Sequence, residues 1–229
     1  MFKENNNVSI NIETLLNGLK LLCEGDKVKQ RELIASLVNL MTLLKEDIPN
    51  YKTFLSDEAG GRLPTLFLYE LTKKKYGGRQ VCFLQGGRNV PDQVYSSIND
   101  LIEKRKKALG KCLLVTEHID SGASIQKLMN VLSKAGVDYK VISVSISEQF
   151  FLQLKGGAPD STEFVDKIIY SSVGEVGSFL KTPLVGVERK LMKLMPQSYP
   201  WRLRRNKNTH VADIRREIQL IADELSKLL

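Results

Sequence analysis

Apolar residues recur at helical spacing in two stretches near the start of the chain. Asn11 can cap a first helix carrying Ile12, Leu15, Leu16, Leu19 and Leu22. Gly25-Asp26 ends it, and Asp26 caps a second helix running to about Glu46. The stripe of that helix is Leu33, Ile34, Leu37, Val38, Met41 and Leu44, the i, i+3, i+4 pattern of a core-facing surface. Pro49 closes it. The pattern then changes to short apolar runs separated by helices. Tyr51–Leu55, Gln80–Leu84, Lys111–Val115, Tyr139–Ser145 and Lys167–Tyr170 read as strands. Leu63–Lys75, Asp92–Leu109 and Ile125–Ala135 read as the helices between them, with Gly77-Gly78 and Gly136 as stops.

Strands alternating with helices predict an α/β fold, a mainly parallel sheet flanked by helices, with N-terminal helices and a C-terminal helix added. Three parts follow: a helical extension over 1–48, an α/β domain over 49–187, and a basic segment with a helix over 188–229. In the last helix Ile214, Ile218, Ile221, Leu225 and Leu228 form a seam that asks for another helix. The N-terminal helices can supply it, and so can a second copy of the chain, which would make a homodimer.

Composition narrows the class. Among 229 residues, 42% are hydrophobic and 26% charged, as in ordinary globular proteins. No apolar stretch approaches the roughly 20 residues needed to cross a bilayer, and the first residues lack the order of a secretory signal, so no membrane partner and a cytoplasmic location are expected. Cys23, Cys82 and Cys112 are scattered in apolar runs and form no CxxC pair; they read as buried thiols of a reducing compartment. Only two histidines are present, too few for a histidine-rich metal site. The net charge of +8 is concentrated late in the chain, where Arg202, Arg204, Arg205 and Lys207 lie in a strongly basic stretch. That stretch is either a nucleic-acid contact or a solvated surface.

Chemistry gathers in one place. The apolar run ending at Val115 leads through Thr116, Glu117, His118 and Ile119 into Asp120-Ser-Gly-Ala-Ser124, and a helical pattern begins at once. Such a strand–loop–helix unit points backbone amides, two hydroxyls and a helix N-terminus at one spot, which suits a phosphate. Gly122 lets the backbone approach closely. The plain alternative is a turn with serine caps. Glu117 can bind ribose hydroxyls or magnesium-bound water, or can be a solvated acid. Asp120 can act as a base or cap the helix. His118 is either a ligand contact or a partly buried, hydrogen-bonded histidine. Arg62, just after Gly60-Gly61, can clamp a diphosphate or sit exposed at a helix start. Gly86-Gly87-Arg88 allows a similar reading beside an ordinary turn.

The 116–124 stretch resembles the phosphoribosyl-diphosphate signature of type I phosphoribosyltransferases. Leu113, Leu114 and Val115 match the strand of that signature, Glu117 the second of its two acids, and Asp120, Ser121, Gly122 and Ser124 its phosphate loop, with Ala123 between them. Thr116 stands where the first acid belongs, and His118 on a usually apolar position. Residues 51–146 follow the element order of the family. The resemblance implies a phosphoribosyl transfer to or from a nitrogenous base with Asp120 as catalytic base. It implies a 5′-phosphate on 121–124, ribose on Glu117, and diphosphate near Asp57, Gly60, Gly61, Arg62 and Arg88. It also implies Mg2+, held by Glu117 directly or through water. The sugar phosphate or nucleotide would be the small-molecule partner. The incomplete acid pair and the basic tail allow a second reading: a non-catalytic regulator on the same fold that senses a nucleotide and binds nucleic acid.

Overall fold

The computed structural model describes residues 12–57, 61–84, 90–156, 165–174 and 210–229. Five strands, β1 (Thr53–Asp57), β2 (Gln80–Leu84), β3 (Cys112–Ile119), β4 (Tyr139–Ile146) and β5 (Ile168–Val173), form one sheet in the order β2-β1-β3-β4-β5. Every pairing is parallel. Both faces are covered, so β1, β3 and β4 are buried along nearly their whole length, polar residues included.

One face carries α1 (Ile12–Gly18), α2 (Lys27–Leu44), α3 (Arg62–Tyr76) and α7 (His210–Leu225). Leu16, Leu37 and Phe67 of these helices close on Phe54, Leu113 and Val115 of the sheet. The other face carries α4 (Asp92–Leu109) and α5 (Ala123–Lys134), whose Ile102 and Leu128 pack on Leu55, Leu114 and Val141. A further helix, α6 (Glu148–Lys155), follows β4 directly, capped by the Ser147 side chain on the Phe150 amide. Phe150 belongs to this second core, and Phe151 meets Tyr170 edge to face, so both rings are structural.

The first helix departs from its sequence pattern. It ends at Gly18 rather than continuing through Leu22, and a 3-10 turn follows at Leu22–Gly25. Cys23, Glu24 and Gly25 have φ of 55°, 56° and 78°, a left-handed run costly for the two non-glycines. Three side chains hold it. The Glu217 carboxylate of α7 accepts from the amides of Lys20, Leu21 and Leu22 at 2.7–3.2 Å. Lys27 donates to the carbonyls of Leu16 and Leu19, and Gln30 to that of Leu22. The turn thus exists because a distant helix satisfies its backbone. In return α7 is fixed: Ile214, Ile218, Ile221 and Leu225 enter a core built chiefly with α3 and completed by the N-terminal helices, and Asp223 pairs with Lys74 of α3 at 2.6 Å. The seam is filled from within the chain.

β3 also differs from expectation. It runs to Ile119, four residues past Val115, because β4 is long enough to pair it that far, with Thr116 opposite Ser143, His118 opposite Ser145 and Ile119 opposite Ile146. Glu117 and His118 are therefore strand residues, and strand alternation assigns them opposite faces.

Candidate functional site

The strand order reverses direction at β1 and β3. From β1 the chain moves outward to β2, then returns across to β3 and on to β4 and β5. Ligands of open parallel sheets bind at such a point, beyond the C-terminal strand ends. Here two loops meet, the one after β1 leading into α3 and the one after β3 leading into α5. Their contact is close: a Cβ at Gly61 would stand 2.2 Å from the Val115 carbonyl oxygen and 2.8 Å from Asp57 Oδ1. Only glycine lets the α3 entry press onto β3 there.

The loop after β3 bears the expected geometry. Gly122 is the N-cap residue of α5 with φ 77°, and its carbonyl accepts the Gln126 amide at 2.9 Å. Helix geometry leaves the amides of Ala123, Ser124 and Ile125 without i−4 acceptors. They face a cavity of about 160 Å3 lined by residues 118 to 125. That volume suits a phosphate-sized group rather than a whole nucleotide, since sites for drug-sized ligands run to about 300 Å3 or more. Asp120, Ser121 and Ala123 are exposed, and Ser124 is partly so. Asp120 is not the N-cap residue of α5; its carbonyl accepts the Ser147 hydroxyl at 2.7 Å, tying the loop to the start of α6. Phe150 forms the wall behind Gly122: a Cβ there would lie 2.4 Å from its ring.

Strand alternation sorts the remaining polar groups. Asp57, Thr116 and His118 lie on the sheet face of α4 and α5, where Thr116 Oγ1 donates to Asp57 Oδ2 at 3.2 Å and His118 Nδ1 meets Ser145 Oγ at 2.8 Å. His118 is partly buried and hydrogen-bonded, and it also borders the cavity. Glu117 goes the other way. It is 3% exposed, on the face of Leu113 and Val115, under the N-terminal helices. Its charge, together with that of Asp26, adds to the effect of burial in pushing the Cys23 thiol up to about 12. Glu117 is therefore not among the residues bordering the cavity.

Sequence reasoning missed the Asp57–Thr116 bond. The first acid of the signature is absent at Thr116, yet the hydroxyl there holds a carboxylate supplied by the neighbouring strand. Nothing in the spacing of one strand could reveal it; the pairing of β1 with β3 was required. Arg62 begins α3 with its guanidinium 5.6 Å from the centre of the Phe83 ring, and Phe83 is 40% exposed at the same rim. Gly60, Arg88, Arg202, Arg204, Arg205 and Lys207 lie outside the described residues. Among the described residues no group of three or more His, Cys, Asp or Glu side chains could hold a metal by itself, and no helix is long and apolar enough to cross a membrane. A hard cation at this rim would need oxygens from its ligand as well as from Asp57 and Asp120. The chain matches no protein family model and no curated protein sequence.

Proposed function

We propose that this rim binds a 5′-phosphorylated ribose, as phosphoribosyl diphosphate or a nucleotide, and transfers the phosphoribosyl group to or from a nitrogenous base. The observation that carries the reading is the Gly122 loop: a left-handed glycine, an open helix start and a phosphate-sized cavity at the switch point of a parallel sheet. The 5′-phosphate sits on the amides of 122–125 with the hydroxyls of Ser121 and Ser124. The diphosphate extends toward the Gly61 turn and Arg62. Asp57 and Asp120 are the carboxylates that would hold magnesium bound with the diphosphate, and the metal would supply neutralisation of the diphosphate charge. Glu117, buried on the opposite face, has no part in this reading.

In the transfer, a base nitrogen attacks ribose C1 while the C1–O bond to diphosphate breaks and its electron pair leaves with the diphosphate. The proton of the attacking nitrogen passes to Asp120. Positioning and charge neutralisation carry most of the acceleration.

A second reading, ligand sensing without catalysis, is favoured by Thr116 in place of an acid. One experiment separates the two. Magnesium with phosphoribosyl diphosphate raises the melting temperature under either reading. Diphosphate release on adding a panel of nitrogenous bases, lost in Asp120→Asn while the thermal shift persists, selects transfer. A shift without release selects sensing. No shift at millimolar ligand removes both.

A further inference from the structure

The opposite end of the sheet carries a feature that no motif announces. A cation stands at or next to the start of every strand: Arg79 before β2, Lys52 before β1, Lys111 before β3, Lys140 in β4 and Lys167 before β5. Because the strands are parallel and adjacent, sequence-distant residues become one row, in that order. At about 4.8 Å per strand the row spans roughly 19 Å.

The row sits in a wider field. The segments 45–52, 73–79, 104–111, 134–140 and 165–167, which end helices or begin strands at this rim, hold 14 Lys and Arg against four acids. The rest of the described chain holds ten against 16, so the positive surplus of the described residues is gathered here. Helix dipoles explain lysines in the last turns of α3, α4 and α5. They do not explain a cation where each strand begins.

Several of the cations are braced. Lys111 Nζ lies 5.2 Å from the centre of the Tyr51 ring, Lys167 Nζ 4.5 Å from Tyr139, and the Arg79 guanidinium 5.9 Å from Tyr76. Lys52 runs along Gly110, where a Cβ would come within 3.0 Å of its stem. Neutralisation within the row is slight. Lys111–Asp138 and Lys140–Asp47 are long, at 4.0 and 3.9 Å, and partly exposed. The charged heads themselves rest over the rings, and the Arg79 guanidinium also donates to the Tyr76 and Pro49 carbonyls, so these cations lose little freedom when an anion arrives.

We propose that this N-terminal rim is a binding surface for the phosphate backbone of a nucleic acid. The regular spacing fits a repeating polyanion, and the row is long enough to reach several successive phosphates of one strand. Among the described residues of this rim Tyr51 and Tyr139 are buried and the Tyr76 ring is covered by Lys75 and Arg79, so the contact is independent of base sequence. The surface lies at the other end of the strands from the Gly122 loop and does not depend on the phosphoribosyl reading.

The test uses the full chain and a labelled mixed-sequence oligonucleotide, single-stranded and duplex, in fluorescence anisotropy across a salt series. For Lys52→Gln plus Lys111→Gln, the slope of log K against log salt becomes shallower by about 1.4 for single strands and about 1.8 for duplex. Lys20→Gln plus Arg31→Gln, at the far end of the sheet, leaves it unchanged. Unaltered melting temperatures and an unaltered response to phosphoribosyl diphosphate show that the fold and the other rim are intact. If the rim variant binds as the parent does while Arg204→Ala plus Arg205→Ala abolishes binding, the contact belongs to the tail and the proposal fails. It fails equally if the parent shows no salt-dependent binding.

Discussion

Replacing Glu217 by glutamine tests how the two ends of the chain hold each other. The side chain is 6% exposed and keeps its shape in the variant. In the parent Oε1 accepts from Lys20 and Leu21, and Oε2 from Leu21 and Leu22. Glutamine keeps one oxygen and turns an NH2 group toward the remaining donors. One amide is then left facing another donor, a loss of about 1–3 kcal/mol, and the surviving bonds lose their charge assistance, about 1 kcal/mol more. The expected total is about 3 kcal/mol. For a chain of this size that lowers the melting temperature by roughly 6–12 °C. Urea unfolding followed by circular dichroism gives the free energy directly. The left-handed Cys23–Gly25 turn opens first, so hydrogen exchange at Lys20–Leu22 accelerates beyond the global change. A loss below about 0.5 kcal/mol, with protection at those amides retained, would refute the claim that this carboxylate holds the turn.

Two other changes follow from positions described above. Gly122→Ala forces a Cβ into a left-handed residue and against Phe150; the fold loses about 2 kcal/mol, and the thermal response to magnesium and phosphoribosyl diphosphate disappears, whereas an unchanged response would show that the loop does not hold the phosphate. Burial raises all three thiols, Cys23 and Cys112 to about 12, with Arg105 opposing the rise at Cys82. Near neutral pH their thiolate fractions are very small and grow only as pH climbs toward those values, so a thiol reagent labels half-buried Cys82 slowly and the other two only in urea; rapid labelling of Cys23 or Cys112 in the native protein would contradict this burial.

Much of the architecture was legible because it is local. The stripe of α2, the cap at Asp26, the glycine stops and the alternation of apolar runs with helices each involve neighbours in sequence. The Gly122 turn was legible for the same reason: Asp120, Ser121, Gly122, Ala123 and Ser124 are contiguous. α6 escaped notice because eight residues carry too short a stripe to register as a period.

What the sequence determined by itself is the α/β class and the strand–loop–helix turn at Gly122, since both rest on residues within a few positions of one another. What only the tertiary structure decided is the identity of the surrounding chemistry. Strand pairing brought Asp57 to Thr116, extended β3 through Glu117, and thereby turned that acid away from the cavity. It also set five scattered cations in a row, and packing of α7 on the other helices carried Glu217 to the Lys20–Leu22 amides. A strand's partner and length fix which face each side chain takes, and neither is encoded within the strand alone.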